Sequence, residues 1–244
     1  MHVIAIGNQK GGVGKTTTAA VLAVLLSRQS RRVHVIDLDP QASLTASLGQ
    51  HDETGQLYLA LKERTALPVV TLNDYLTLTP SSIDLARGES EFIGEAGREY
   101  LLRESLEKTG LPNDTIVLID CPPSLGVLGI NCFTAADKLL VVVQPGGFEL
   151  QALARLSETV GVLRQRINER LEILGAVLTN VNQRRLITSQ IRDEIKKHYR
   201  VLGAIRTDAQ LLYATTEGRI LGHTSSNGLH DYGRVVARLK ELLA

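Results

Sequence analysis

Apolar residues in this chain fall into short runs that alternate with longer stretches of helical spacing. The runs VIAIG (3–7), RVHVID (32–37), LTLTP (76–80), TIVLID (115–120), KLLVVVQ (138–144), ILGAVLT (173–179) and VLGAI (201–205) are rich in Val, Ile and Leu. They lack strict in-and-out alternation, the pattern of strands buried on both faces. Helix-period segments lie between them at 15–28, 97–109, 125–136, 148–169, 186–199, 208–217 and 229–243. Strands alternating with helices imply βαβ crossovers. The expected fold is therefore α/β: a single domain over residues 1–244, with a doubly wound, mostly parallel sheet and helices on both faces. Residues 49–75 are the least regular and are expected to form a surface excursion with a short helix at 56–65. Near the end, Leu229, Tyr232, Val236, Leu239 and Leu243 recur at helical spacing and read as the inner face of a last packed helix.

Composition changes this picture little. The chain is 43% hydrophobic and 22% charged, enough to bury a core and not the makeup of a disordered segment. Charge is uneven, however. Residues 1–150 carry 12 Lys+Arg against 17 Asp+Glu, or −5, and residues 151–244 carry 15 against 9, or +6. A basic second half is either a footprint for polyanions or a solvated helical surface. Two cysteines, Cys121 and Cys132, make a disulfide framework improbable. The start, MHVIAIGNQ, lacks the features of a signal peptide, and no apolar run approaches the roughly 18–20 residues that span a bilayer. A cytoplasmic protein is expected.

Three strands end in chemically loaded turns, and ligands of doubly wound sheets bind at the carboxyl ends of strands. After the first strand comes GNQKGGVGKTT. Gly11, Gly12 and Gly14 allow successive backbone N–H groups to face phosphate oxygens, and the helix beginning at Lys15 adds its N-terminal dipole. Lys15 is placed for the β- and γ-phosphates and the Thr16 hydroxyl for Mg2+. Chance would yield KGGxGK[ST] in about a few of every 10⁵ chains this long. The fourth strand ends in LIDCPP, where Asp120 has the form of a Walker B acid holding Mg2+. The second ends in DLDPQ, with Asp37 and Asp39 on one side of an extended strand. A carboxylate there orients the attacking water or approaches Mg2+, with Asp39 read as catalytic and Asp37 as support for the switch and the metal; alternatively both acids cap the helix that follows.

The loop departs from G-x-x-x-x-G-K-[ST] by placing Gln9 where the first glycine belongs, and it adds a second lysine, Lys10. At the loop's outer start, Lys10 could reach the nucleotide of a second subunit stacked face to face, as an arginine finger does in trans. Such an arrangement would hold two subunits together until hydrolysis, as a switch does.

KGGVGKTT with Lys10, DLDPQ, and DCPPSLG…N…TAAD together resemble the ParA branch of the ParA/MinD ATPases, the deviant Walker A group of P-loop NTPases. The resemblance runs from residue 3 to about 240. It implies an ATPase using ATP and Mg2+, slow without its partner. It also implies a homodimer in the ATP state, non-specific DNA binding on the nucleoid, and a ParB-type activator protein in plasmid or chromosome partition, with no membrane partner. By position, Lys10, Lys15 and Asp39 are the implied catalytic residues, and Thr16, Asp39 and Asp120 the implied metal set. Implied nucleotide contacts are Gly11, Gly12, Val13, Gly14, Lys15, Thr16, Thr17, Asn180, Arg206, Thr207 and Asp208. The stretch IRTDAQLLYA (205–214) replaces the family's usual IPRNVRLSEA, so Arg206 and Thr207 stand in place of Pro-Arg and Gln210 in place of an arginine. Arg184 keeps a basic position that relatives use for DNA, and Arg185, Lys196 and Lys197 could rebuild the patch. Sequence-independent phosphate contacts would weaken steeply with salt. Rival readings are a MinD-like membrane-associated ATPase, a metabolic ligase or reductase built on the same loop, and an ATPase positioning another cargo.

Overall fold

Burial on both faces explains why seven Val/Ile/Leu-rich runs become strands. Along the first of them, Val3 and Ala5 enter one apolar layer and Ile4 and Ile6 the other, all at most 5% exposed. The computed structural model describes residues 1–146, 149–181 and 186–243. Among these, eight strands form one sheet: β1 (His2–Gly7), β2 (Val33–Asp37), β3 (Val70–Asn73), β4 (Leu76–Thr79), β5 (Ile116–Asp120), β6 (Lys138–Val143), β7 (Glu172–Val181) and β8 (Val201–Arg206). Their order is β3-β4-β2-β5-β1-β6-β7-β8, and only β3 and β4 pair antiparallel. The doubly wound, mostly parallel α/β sheet expected from the sequence is the one observed.

Ten helices accompany the sheet among the described residues: α1 (Lys15–Ser27), α2 (Ser43–Ser47), α3 (Gln56–Glu63), α4 (Leu85–Glu91), α5 (Leu101–Thr109), α6 (Val127–Ala135), α7 (Glu149–Arg166), α8 (Leu186–His198), α9 (Ala209–Thr216) and α10 (Asn227–Leu243). Apolar residues of α1, α2, α9 and α10 pack in the layer with Ile4 and Ile6; those of α3 to α8 pack in the layer with Val3 and Ala5. Leu229, Tyr232, Val236 and Leu239 of α10 are buried, so the last helix spends its apolar face on the core. Among the described residues, no helix is long and apolar enough to cross a membrane.

Two local differences from the sequence expectation have physical causes. The excursion at 49–75 contains the expected short helix, α3, but also β3. This edge strand is four residues long and half-covered, too short to show a period. Its hairpin turn is held by the Asn73 carboxamide accepting from the Tyr75 N–H at 2.9 Å. The helix expected over 97–109 begins as a 3₁₀ turn at Arg98–Tyr100 after Gly97 (φ 66°), then continues as α5 and stops at Gly110 (φ 67°).

Candidate nucleotide and metal site

The parallel register brings the loaded turns to one edge. Asp120 on β5 lies beside Asp37 on β2 and Ile6 on β1. Between β1 and α1 the chain is pinned at both ends of the loop. The buried Asn8 donates its amide N–H to the Val142 carbonyl at 2.6 Å and accepts from the Lys10 N–H at 3.0 Å. From β7, the Thr179 hydroxyl donates to the Val13 carbonyl at 2.6 Å. Gly12 (φ 72°) and Gly14 (φ 92°) hold left-handed angles that side chains resist, and a Cβ on Gly11 or Gly12 would meet nothing within 4 Å. The loop thus surrounds open space. Gly14 caps α1 without a side-chain hydrogen bond, so the first N–H groups of that helix remain for an anion. Lys15 is only 7% exposed, and its ammonium donates to the Lys10 carbonyl at 3.4 Å.

The three acids divide into different environments. Asp120 is fully buried, and neither carboxylate oxygen has a hydrogen-bond partner among the described residues. Burial pushes its carboxyl well above the ordinary range, and the Asp37 charge adds to this; the Thr16 hydroxyl and Lys15 ammonium act in the opposite sense. An orphaned carboxylate beside a hydroxyl is an oxygen donor set that suits Mg2+. Among the described residues no group of three His, Cys, Asp or Glu is placed to hold a metal ion. Asp37, also fully buried, is by contrast engaged. One oxygen accepts from the Thr45 N–H and hydroxyl, both at 2.8 Å, and the other from the Asp39 N–H at 3.2 Å. Burial pushes its carboxyl up to about 6 despite these bonds. Asp37 therefore anchors α2. Asp39 is partly exposed, with one oxygen accepting from the Gln41 N–H at 3.0 Å.

A cleft of about 680 Å³ opens above these turns. Gly11, Gly12, Gly14, Lys15, Thr16, Thr17 and Asp39 line one end, and Asn180, Arg206, Thr207 and Asp208 the other. Val13 is buried behind the loop, with its carbonyl held by Thr179, and Lys10 is exposed outside the lining. At the far end Asn180 adopts φ 51°. The Asp208 carboxylate caps α9, accepting from the Gln210 and Leu211 N–H groups at 3.0 Å, and its other oxygen accepts from the Gly228 N–H at 2.6 Å. Arg206 is bound to Asp231 of α10 through Nε at 2.8 Å and Nη2 at 2.9 Å. Sequence reasoning missed Thr179 and Asp231, and placed Tyr232 only in the core although it also lines the cleft. No spacing rule marks a threonine on one strand as the tie for a loop on another.

Of the basic residues proposed for DNA, Arg184 and Arg185 lie outside the described residues. Lys196 and Lys197 are exposed on the last turn of α8, in ion pairs with Asp193 (3.7 Å) and Glu194 (2.6 Å), away from the cleft lining. Exposed pairs of this kind are weak and leave the charges open to competition by phosphate. Cys121 and Cys132 are free and buried.

A family model described as an AAA domain matches residues 1–173. The chain is similar to the chromosome partitioning protein ParA of Caulobacter vibrioides, with 40% identity over 205 residues, covering 82% of this chain and 77% of that protein. It is also similar to the chromosome-partitioning ATPase Soj of Thermus thermophilus, with 36% identity over 247 aligned positions, covering 98% and 96%. Among solved structures, cobyrinic acid a,c-diamide synthase from Mycobacterium smegmatis with bound ADP and magnesium matches at a TM-score of 0.82 and 33% identity, covering 99% of this chain and 94% of that one.

Proposed function

We propose a function from one premise: the chain belongs to the ParA/Soj family of partition ATPases. It hydrolyses ATP with Mg2+ as cofactor. Our reading is that the ATP state is a homodimer that binds DNA non-specifically on the nucleoid, and that a ParB-type protein triggers hydrolysis during plasmid or chromosome partition. The single observation that carries the nucleotide chemistry is the pairing of an open glycine cradle with a buried Asp120 that has no partner among the described residues. Bound Mg2+ would neutralise phosphate charge and polarise the γ-phosphoryl group. Thr16 and Asp120 would hold it. The loop N–H groups and Lys15 bind and orient the phosphates. Asp39, partly exposed at the cleft, orients the attacking water. Lys10, exposed at the loop's outer start, reaches the nucleotide of the facing subunit and makes dimerisation depend on the γ-phosphate.

Lys196 and Lys197, with Arg184 and Arg185, form the proposed DNA surface. Burial of the α10 apolar face supports this reading over a MinD-like membrane anchor. The test uses Asp39→Ala, which is expected to bind ATP without turning it over. A long duplex of random sequence is titrated with ATP or ADP over a salt series. Binding with ATP alone, falling steeply with salt, is expected. No DNA binding in either state, with ATP dimers intact, would sink the DNA reading and turn attention to a membrane or protein surface. Lys10→Ala should keep nucleotide binding but lose the dimer; an intact ATP dimer would refute the role of Lys10 in trans.

A further inference from the structure

Two consecutive residues of α10 tie it to two different elements. Tyr232 contacts Thr18, one turn into the helix that follows the glycine loop, at 2.8 Å. Asp231 holds the end of β8. It is 2% exposed and accepts three bonds from Arg206: from its backbone N–H at 3.1 Å, Nε at 2.8 Å and Nη2 at 2.9 Å. Arg234, three residues on along α10, also pairs with Asp231. Burial alone would raise the Asp231 carboxyl, but the Arg206 bonds and the two arginine charges outweigh it and hold the carboxyl below its ordinary range.

A carboxylate bonded to both Nε and Nη2 fixes the plane of a guanidinium, which a single point charge cannot do. Arg206 lines the cleft and Asp231 does not. The plane is therefore set from behind. Ile205, Leu211 and Leu212 line the same end and supply apolar surface. A flat cation beside apolar side chains suits a purine ring, because bases stack on guanidinium planes.

We propose that Asp231 is a positioning residue of the nucleotide site: it clamps Arg206 so that the guanidinium forms a rigid wall against which the base lies. This deepens the reading above and rests on it, since it takes the phosphates to occupy the glycine loop and the base to lie near Arg206. The wall acts on the base alone and leaves phosphate binding and the chemical step untouched.

The test compares the wild type with Asp231→Asn, Arg206→Ala, their double variant and Arg234→Ala. Each is titrated with ADP and with inorganic tripolyphosphate in the presence of Mg2+, and ATP turnover is measured. Asp231→Asn should bind ADP about tenfold more weakly, within the range of one lost stacking contact. The KM for ATP should rise to match while kcat holds, and tripolyphosphate binding should be unchanged. Arg206→Ala should show the same loss, and the double variant no further loss, as expected of residues acting through each other. Arg234→Ala, which touches the same carboxylate without lining the cleft, should bind ADP normally. Unchanged ADP affinity in both Asp231→Asn and Arg206→Ala would overturn the proposal, as would equal losses for ADP and tripolyphosphate. Arg206 is a partly exposed side chain, so its variant keeps the test decisive if Asp231→Asn fails to fold. Failure of the underlying site reading is separate: it would show as full ADP affinity in Lys15→Ala.

Discussion

The two ends of the cleft are built by different means. The proposed phosphate end is a contiguous stretch, Asn8 to Thr17, whose backbone N–H groups are arranged by glycines at φ 72° and 92°. The proposed base end is assembled by side chains from separate elements: Arg206 is held by the Asp231 carboxylate, and the Asp208 carboxylate accepts from the Gly228 N–H. A backbone-built site is written where it folds. A side-chain-built site exists only once the packing of α10 against β8 has brought its halves together. The phosphate end should therefore fail sharply when Lys15 is lost, whereas the base end should fail gradually as separate ties are cut.

The sharpest contrast comes from Lys15→Ala. Lys15 is nearly buried in the loop, and its loss removes a charge-assisted contact to phosphate. ATP affinity should fall roughly a hundredfold or more, measured by titration with MgATP. A loss no larger than that of Arg206→Ala would erase the distinction between the two ends.

Asp120→Asn should come next and carries an unusual sign. Among the described residues neither oxygen of the buried Asp120 has a partner, which without a bound ion is a cost to folding. Removing the charge should raise the apo melting temperature while abolishing Mg2+-dependent hydrolysis. Because the folded carboxyl lies above its unfolded value, the folded state holds the proton more tightly. Wild-type apo stability should thus fall as pH rises from the ordinary carboxylate range through the raised folded value, and this component should vanish in the variant. An apo melting temperature below that of the wild type would mean that Asp120 has a partner in solution.

The same division decides what could be read from the sequence. The strands that alternate with helices, the glycine loop and the positions of Asp39 and Asp120 all rest on local periodicity or contiguous motifs; Asp120 ends β5, and the loop and Asp39 line the cleft. Of the two acids of DLDPQ, Asp39 is expected to be catalytic and Asp37 to support the metal, yet Asp37 is consumed by Thr45, eight residues on, while Asp39 reaches the cleft. Nothing in their spacing separates them. Thr179 holds the loop from 166 residues away, and Asp231 shapes the cleft without lining it. β3 was hidden for a different reason: four residues on a half-covered edge do not make a pattern.

Asp208→Ala tests the base end without touching Arg206. It removes the cap of α9 and the tie to the first turn of α10. A lost cap costs about 1–2 kcal/mol. The melting temperature should fall by roughly 2–8 °C. ADP binding should weaken by less than in Asp231→Asn, and tripolyphosphate binding should hold. Weakened tripolyphosphate binding would mean that the two ends fold as one unit.

The smallest expected effect belongs to the residue that joins the two ends. Thr18 donates its hydroxyl proton to the Gly14 carbonyl at 2.7 Å, so in the 2.8 Å contact between the two hydroxyls Tyr232 must be the donor. The order Tyr232 to Thr18 to Gly14 runs from α10 to the glycine that caps α1. Burial holds the phenol well above its ordinary range, which keeps the proton in place at all physiological pH values. Tyr232→Phe retains the ring and deletes the donor, leaving a buried Thr18 oxygen short of one partner. The cost should be about 1 kcal/mol, or roughly 2–4 °C in melting temperature. ADP and tripolyphosphate affinities should shift together and by no more than about threefold, because the bond steadies the loop without touching the ligand. A shift in ADP affinity alone would place Tyr232 with the base end, and the bridge between the two would have to be sought elsewhere on α10.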